Sequence, residues 1–225
     1  MNRAARAAAA RRAVSRDHAV VHRLAALLIE YPTQGLVDLL PQIRAAAAEL
    51  PVALGEPLRP VVDHLAALPL RELEAQYVET FDLKRRCALY LTYYAHGDTR
   101  KRGVALVEFK QAYRAAGFEL AEEELPDHLA VVLEFAATVG RDGHDTGVRL
   151  LLEHRAGLEL LRLALQDSGS VYAGVLQAVS RTLPPLEGDE REAVARLAAE
   201  GPPGEEVGLE PFAPPSYMPV SGARR

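Results

Sequence analysis

The chain has no tryptophan and a single cysteine, Cys87, in 225 residues. A lone thiol excludes an intrachain disulfide and a cysteine-built zinc cage, and it fits a reducing compartment, so the cytoplasm is the expected location. Aromatic residues make up 6% of the chain while the hydrophobic set reaches 49%, which leaves Leu, Ala and Val to build the interior. The sequence has no apolar run long enough to span a bilayer, no glycine-rich phosphate loop and no nucleophile-elbow serine. Positive charge is in deficit too: 26 Lys and Arg stand against 31 Asp and Glu, a formal net charge of -5. That balance argues against a nucleic-acid backbone as partner and favours basic or amphipathic ones.

What is present is helical periodicity. Apolar residues recur at i, i+3 and i+4 almost throughout, with no convincing period-two run, so an all-α, single-domain multi-helix bundle is expected. Arg3, Arg6, Arg11, Arg12 and Arg16 lie among alanines with no acid and no following apolar run, which reads as a basic arm over 1–15, disordered or a frayed helix. The helical domain is expected over 16–185, a polar helix over 186–200, and a disordered Pro- and Gly-rich tail over 201–225.

Within the domain, Pro32 should stop a first helix running from Arg16 to Tyr31, and Pro41 should break a second over Leu36 to Leu50. Pro69 is placed to open a helix with Tyr77 and Val78 inward, and Leu83 to Tyr94 continues the helical pattern. Asp98 reads as the N-cap of a helix to Ala116, with Val104 and Val107 inward and Gly117 as a left-handed cap. Pro126 should sit in the first turn of the next helix. The stretch from Gly140 to Gly147 reads as flexible, and helices over 148–165 and 171–183 should form a hairpin.

Chemistry-bearing patterns are sparse. His18 and His22 share a helix face four residues apart but lack a third ligand at supporting spacing. Cys87 sits among Ala88, Leu89 and Leu91, as a buried inert thiol would, and Glu79 with Asp82 reads as solvated surface rather than an acid/base pair. Two features stand out. Arg100, Lys101 and Arg102 fall in the first turn of a helix, against its macrodipole. Tyr77, Phe81, Leu89, Tyr90, Tyr93 and Tyr94 concentrate aromatic and apolar surface between acids at Glu79, Asp82, Glu122 to Glu124, Asp127 and Glu134. A groove floored by some of those rings and rimmed by those acids would suit a basic amphipathic helix.

Four blocks in order carry a resemblance: YVETFD at 77–82, LYLTYYAHGDTRKRGVAL at 89–106, AYRAAGFEL at 112–120 and ELPDHLAVVLEF at 124–135. Their succession resembles the nitrate reductase molybdenum cofactor assembly chaperones, the delta-subunit family within the TorD-like chaperones, and the opening helix ending in EYP at 30–32 fits as well. The resemblance implies a cytoplasmic non-enzyme without cofactor or metal. Such a protein binds the N-terminal peptide of the apo alpha subunit of nitrate reductase and keeps it competent for molybdenum cofactor insertion before membrane attachment. It would act as a monomer, with molybdenum cofactor delivery proteins as further partners, without nucleic acid and without stable membrane insertion. Peptide binding is then expected at Tyr77, Phe81, Asp82, Leu89, Tyr90 and Tyr93, with Glu124, Asp127 and Glu134 as acidic contacts. Asp98, Arg100, Arg102 and Gly103 form a family motif serving either loop architecture or client contact. Three other readings stand beside this one: a maturation chaperone for a dimethyl sulfoxide or trimethylamine oxide reductase, a helical metal-dependent enzyme using His18 and His22, and a helical transcription regulator using the Arg-rich arm.

Overall fold

The computed structural model describes residues 3–121, 124–138 and 141–200, with side chains from Arg16 onward except at 141–142. The expected tail over 201–225 and the side chains of the expected arm lie outside the described residues. Those residues form an all-α bundle with no strand, the nearest approach to one being an isolated antiparallel bridge between Tyr90 and His128. No described helix is long and apolar enough to cross a membrane.

The first helix, α1 (Arg3–Leu28), ends before Pro32, and α2 (Gln34–Glu49) starts from Thr33, whose hydroxyl accepts a hydrogen bond from the Leu36 amide at 3.2 Å. Pro41 does not break α2 as expected. It lies on the exposed side, where solvent takes the carbonyl that the proline ring cannot serve. Then follow α3 (Val52–Gly55), a 3-10 turn, α4 (Arg59–Ala67) and α5 (Leu70–Tyr77), the last opened by Pro69.

The continuous helix expected from Leu83 to Tyr94 is absent. In its place α5 runs into a π turn at Val78–Asp82, a 3-10 turn at Arg85–Cys87, and α6 (Leu91–His96). The cause is pairing with a distant segment: the Leu91 amide donates to the Asp127 carbonyl at 3.0 Å and the Leu129 amide to the Leu89 carbonyl at 2.7 Å. An extended 88–90 stretch satisfies its backbone there instead of within a helix.

Helix α7 (Arg100–Ala115) is capped by Thr99, not Asp98, and it leaves Val104 and Val107 exposed rather than inward. Pro126 lies in a turn before α8 (Leu129–Ala136), not in its first turn. From Arg141 onward the stretch expected to be flexible belongs to α9 (Arg141–Glu153), which His154 separates from α10 (Arg155–Asp167), and Gly140 lies outside the described residues. Helix α11 (Ala173–Thr182) packs on α10 as the expected hairpin, and α12 (Gly188–Glu200) lies across α10.

The core centres on α8. Six of its eight residues are buried, including Leu129, Val132, Leu133 and Phe135, because α1 and α9 pack against it. Seven of its eight residues are apolar and its one charge, Glu134, faces outward, so the helix is drawn into the interior on nearly every side. Helix α1 also packs on α11, so elements from the two ends of the domain share one core.

Candidate functional site

Most of the expected groove floor proves to be core. Tyr77, Phe81 and Leu89 are buried, and Tyr77 donates its hydroxyl to the Ile29 carbonyl at 3.1 Å. The Tyr77 ring meets Phe81 at 4.8 Å and Tyr31 at 5.3 Å, and burial holds its hydroxyl well above the usual tyrosine range. Asp82 is exposed beside this cluster. Tyr90 and Tyr93 are half-buried, Tyr93 set edge-on against the buried Tyr94 at 5.8 Å.

Asp127, expected as an acidic contact on the rim, is instead wholly buried. Its Oδ2 accepts from the Thr92 hydroxyl at 2.5 Å and the Thr92 amide at 3.3 Å, and it faces the Arg102 guanidinium at 3.6 Å. Arg102 in turn pairs with Asp98 at 3.5 Å and lies over the Tyr90 ring at 5.1 Å. The His128 ring packs on Tyr90 at 5.4 Å, and burial lowers its pKa against the pull of Asp127. Arg102 thus stands against the α7 macrodipole because a buried carboxylate holds it there. Asp98 and Arg102 of the motif are brought together with Asp127. Arg100 and Gly103 are not: both are exposed on α7, and a Cβ at Gly103 would meet nothing within 4 Å.

An apolar cleft with an acidic rim does exist, one layer away from where the aromatic centre suggested. It has a volume of about 230 Å³, a floor of Tyr113, Phe118, Val131 and Phe135, and Glu119, Glu124 and Glu134 in its lining. Gly117 sets the position of Phe118 in that lining. At φ +81 it closes α7 with a paired cap, the Gly117 amide donating to Arg114 at 3.0 Å and the Phe118 amide to Tyr113 at 2.9 Å. This turns Phe118 back over the helix end, edge-on to Phe135 at 5.1 Å and 39% exposed. The Tyr113 hydroxyl donates to the Pro126 carbonyl at 2.6 Å, which fixes the loop that carries Glu124.

The rim is electrostatically crowded. Burial raises the pKa of Glu30, at the end of α1, and the neighbouring carboxylates of Glu134 and Glu124 raise it further. Arg23 forms an ion pair with Glu134. Of the expected acidic contacts, Glu124 and Glu134 are therefore on this rim. Phe118, Val131 and Glu30 were missed by the sequence reading, although Gly117 inside AYRAAGFEL carried the signal for Phe118.

The remaining candidates do not form a second centre. His22 is fully buried, with Nε2 donating to Thr182 Oγ1 at 2.8 Å, since the Thr182 hydroxyl proton is given to the Val179 carbonyl. Among the described residues no group of three or more His, Cys, Asp or Glu is arranged to hold a metal ion. Cys87 is buried, and burial raises its thiol pKa.

The all-α architecture is similar to the crystal structure of a putative redox enzyme maturation protein from Archaeoglobus fulgidus, with a TM-score of 0.53 at 22% identity over 74% of this chain and 91% of that one. That likeness carries the fold. The chain belongs to the nitrate reductase delta subunit family, whose model matches residues 47–178, more than half of its length. It is 41% identical over 167 residues to the nitrate reductase-like protein NarX of Mycobacterium tuberculosis, covering 72% of this chain but 24% of that relative. The chain therefore spans about a quarter of NarX. It is also 29% identical to the probable nitrate reductase molybdenum cofactor assembly chaperone NarJ of Bacillus subtilis, over 74% of this chain and 90% of the relative. Against NarJ of Escherichia coli the identity is 33%, over 65% and 62%. Both NarJ relatives are named as assembly chaperones, not as catalysts, in keeping with the expected non-enzyme.

Proposed function

We propose that this protein is a cytoplasmic chaperone dedicated to respiratory nitrate reductase. In this reading it binds the N-terminal segment of the apo alpha subunit and holds that subunit competent for molybdenum cofactor insertion before membrane attachment. The names of its relatives support the process, and the cleft between α7 and α8 supports the mode of binding. The observation that carries the reading is the combination of an aromatic floor, Phe118 and Phe135, with three carboxylates in the same lining, Glu119, Glu124 and Glu134. A basic amphipathic helix answers both: its apolar face supplies contact area and its cations orient it and speed encounter.

No bond needs to be made or broken. A chaperone of this kind shifts its client toward the cofactor-accepting state by binding that state more tightly than the others. Titrating a synthetic peptide of the alpha-subunit N-terminus into the protein in a calorimeter tests the reading. Saturable heat, weakened by added salt and weakened on the order of tenfold by Glu124→Lys, is expected. Heat no different from dilution, or an affinity indifferent to Glu124→Lys and Phe118→Ala, would count against it.

A further inference from the structure

A second cavity lies between the end of α11, the 51–55 segment and the start of α12, away from the acidic cleft, with a volume of about 670 Å³. Four arginines line it: Arg155, Arg162, Arg181 and Arg191, with the Ser180 hydroxyl among them. One carboxylate shares the lining, Glu159, and it is spent. Its Oε1 accepts from Arg155 Nη2 at 2.9 Å and from Ser180 Oγ at 2.5 Å, and its Oε2 accepts from Arg162 Nε at 2.6 Å. The lining thus keeps an excess of three positive charges. Glu190, the next carboxylate acting on Arg155, stands outside it.

The arrangement is built rather than incidental. Arg155 is 5% exposed, and its Nε and Nη1 have no hydrogen-bond partner among the described residues. Those two nitrogens are sealed from the cavity, so Arg155 acts on it through its charge and through Nη2, which bonds Glu159 and the Ser180 hydroxyl. The outer arginines are steadied by backbone: Arg181 Nη1 donates to the Ala53 carbonyl at 2.5 Å and Arg191 Nε to the Leu186 carbonyl at 2.8 Å. Each guanidinium carries five donors in a planar fork, so most of theirs are left for a ligand.

The geometry points to a binding site for a small phosphorylated molecule, with a diphosphate or phosphomonoester seated among Arg155, Arg162, Arg181 and Arg191. Three excess charges match a group carrying two or three negative charges better than a single carboxylate, and guanidinium forks match phosphate oxygens bidentately. The volume exceeds what inorganic phosphate fills and falls in the range of small-molecule sites. Leu54, Leu183 and Pro184 offer an apolar wall for the organic part. The site is separate from the peptide cleft, so its occupancy is measured without any peptide.

The test uses the full chain and pyrophosphate, with inorganic phosphate as a weaker probe and sodium chloride at matched ionic strength as control. Calorimetry should give saturable binding of pyrophosphate, and thermal unfolding should move upward with its concentration. Arg181→Gln and Arg191→Gln, both at exposed positions, should each weaken pyrophosphate at least tenfold while the unliganded melting temperature is kept. Peptide binding at the acidic cleft should be unchanged in both. A shift no larger than that of matched sodium chloride, or variants that bind pyrophosphate as the unaltered chain does, would overturn the proposal.

Discussion

A buried carboxylate decides the local structure around residue 127. Asp127 answers Thr92 twice and Arg102 once from a position with no solvent exposure. In Asp127→Ala the Thr92 amide and hydroxyl and the partly shielded Arg102 lose their partner, so a loss of about 2 to 4 kcal/mol is expected, read as a lowered urea midpoint at unchanged slope. The sequence could not reveal this burial. ELPDH reads as the acidic start of a helix, and the groups that draw Asp127 inward lie 25 and 35 residues upstream. His22 makes a second prediction at this scale. Burial, then the neighbouring His144 and His18, lower its pKa from 6.5 to about 3. The fold holds it neutral while the unfolded chain protonates it at 6.5, so its contribution is intact above about pH 6.5 and is lost as the pH falls toward 3. Stability should decline there by at most about 1.4 kcal/mol per pH unit from this residue. Denaturant titrations at several pH values should show a shallower acid limb in His22→Gln.

At the scale of elements, two glycines on helices behave in opposite ways. A Cβ at Gly147 of α9 would stand 2.5 Å from Ala136 Cα and 2.7 Å from the Ala136 amide nitrogen of α8, and backbone cannot give way as a side-chain tip can. Gly147→Ala should therefore destabilise, by about 1 to 3 kcal/mol, despite its gain in helix propensity. Gly103→Ala meets open space and should stabilise by up to about 1 kcal/mol. Chemical denaturation of the two variants checks both signs. In the sequence Gly143, His144 and Gly147 looked like a linker, because glycine is the signal for a flexible loop and equally the requirement of a close helix crossing. Two helix boundaries set by local chemistry were legible, since Pro69 and Gly117 act where the sequence placed them, whereas the Thr33 cap was not read. The 83–94 segment was not legible, since its extended stretch around Leu89 pairs with a partner segment near residue 127. The cleft was half legible for the same reason. Glu124 and Glu134 were in reach of pattern reading, whereas its floor required knowing that the cap at Gly117 folds Phe118 onto Phe135.

For the whole molecule, the -5 balance of the sequence hides a division. Acids gather on the cleft between α7 and α8, and arginines gather on the cavity beside α11. Between them α1 acts as the axial member, packing on α8 and on α11. The bond from His22 to Thr182 joins residues 160 positions apart, so the beginning and end of the helical domain close on each other. A core in which the first described helix contacts both α8 and α11 has no interior boundary along which half of it could come away. Unfolding in urea should therefore be a single cooperative event. Far-UV circular dichroism reports the helices as a whole, and tyrosine fluorescence reports the packing around the rings, Tyr77 and Tyr172 among them at 6.5 Å between ring centres. The two signals should share one midpoint. If the tyrosine signal collapsed at lower urea than the helical signal, packing would be lost apart from the helices, and the single cooperative core would be refuted.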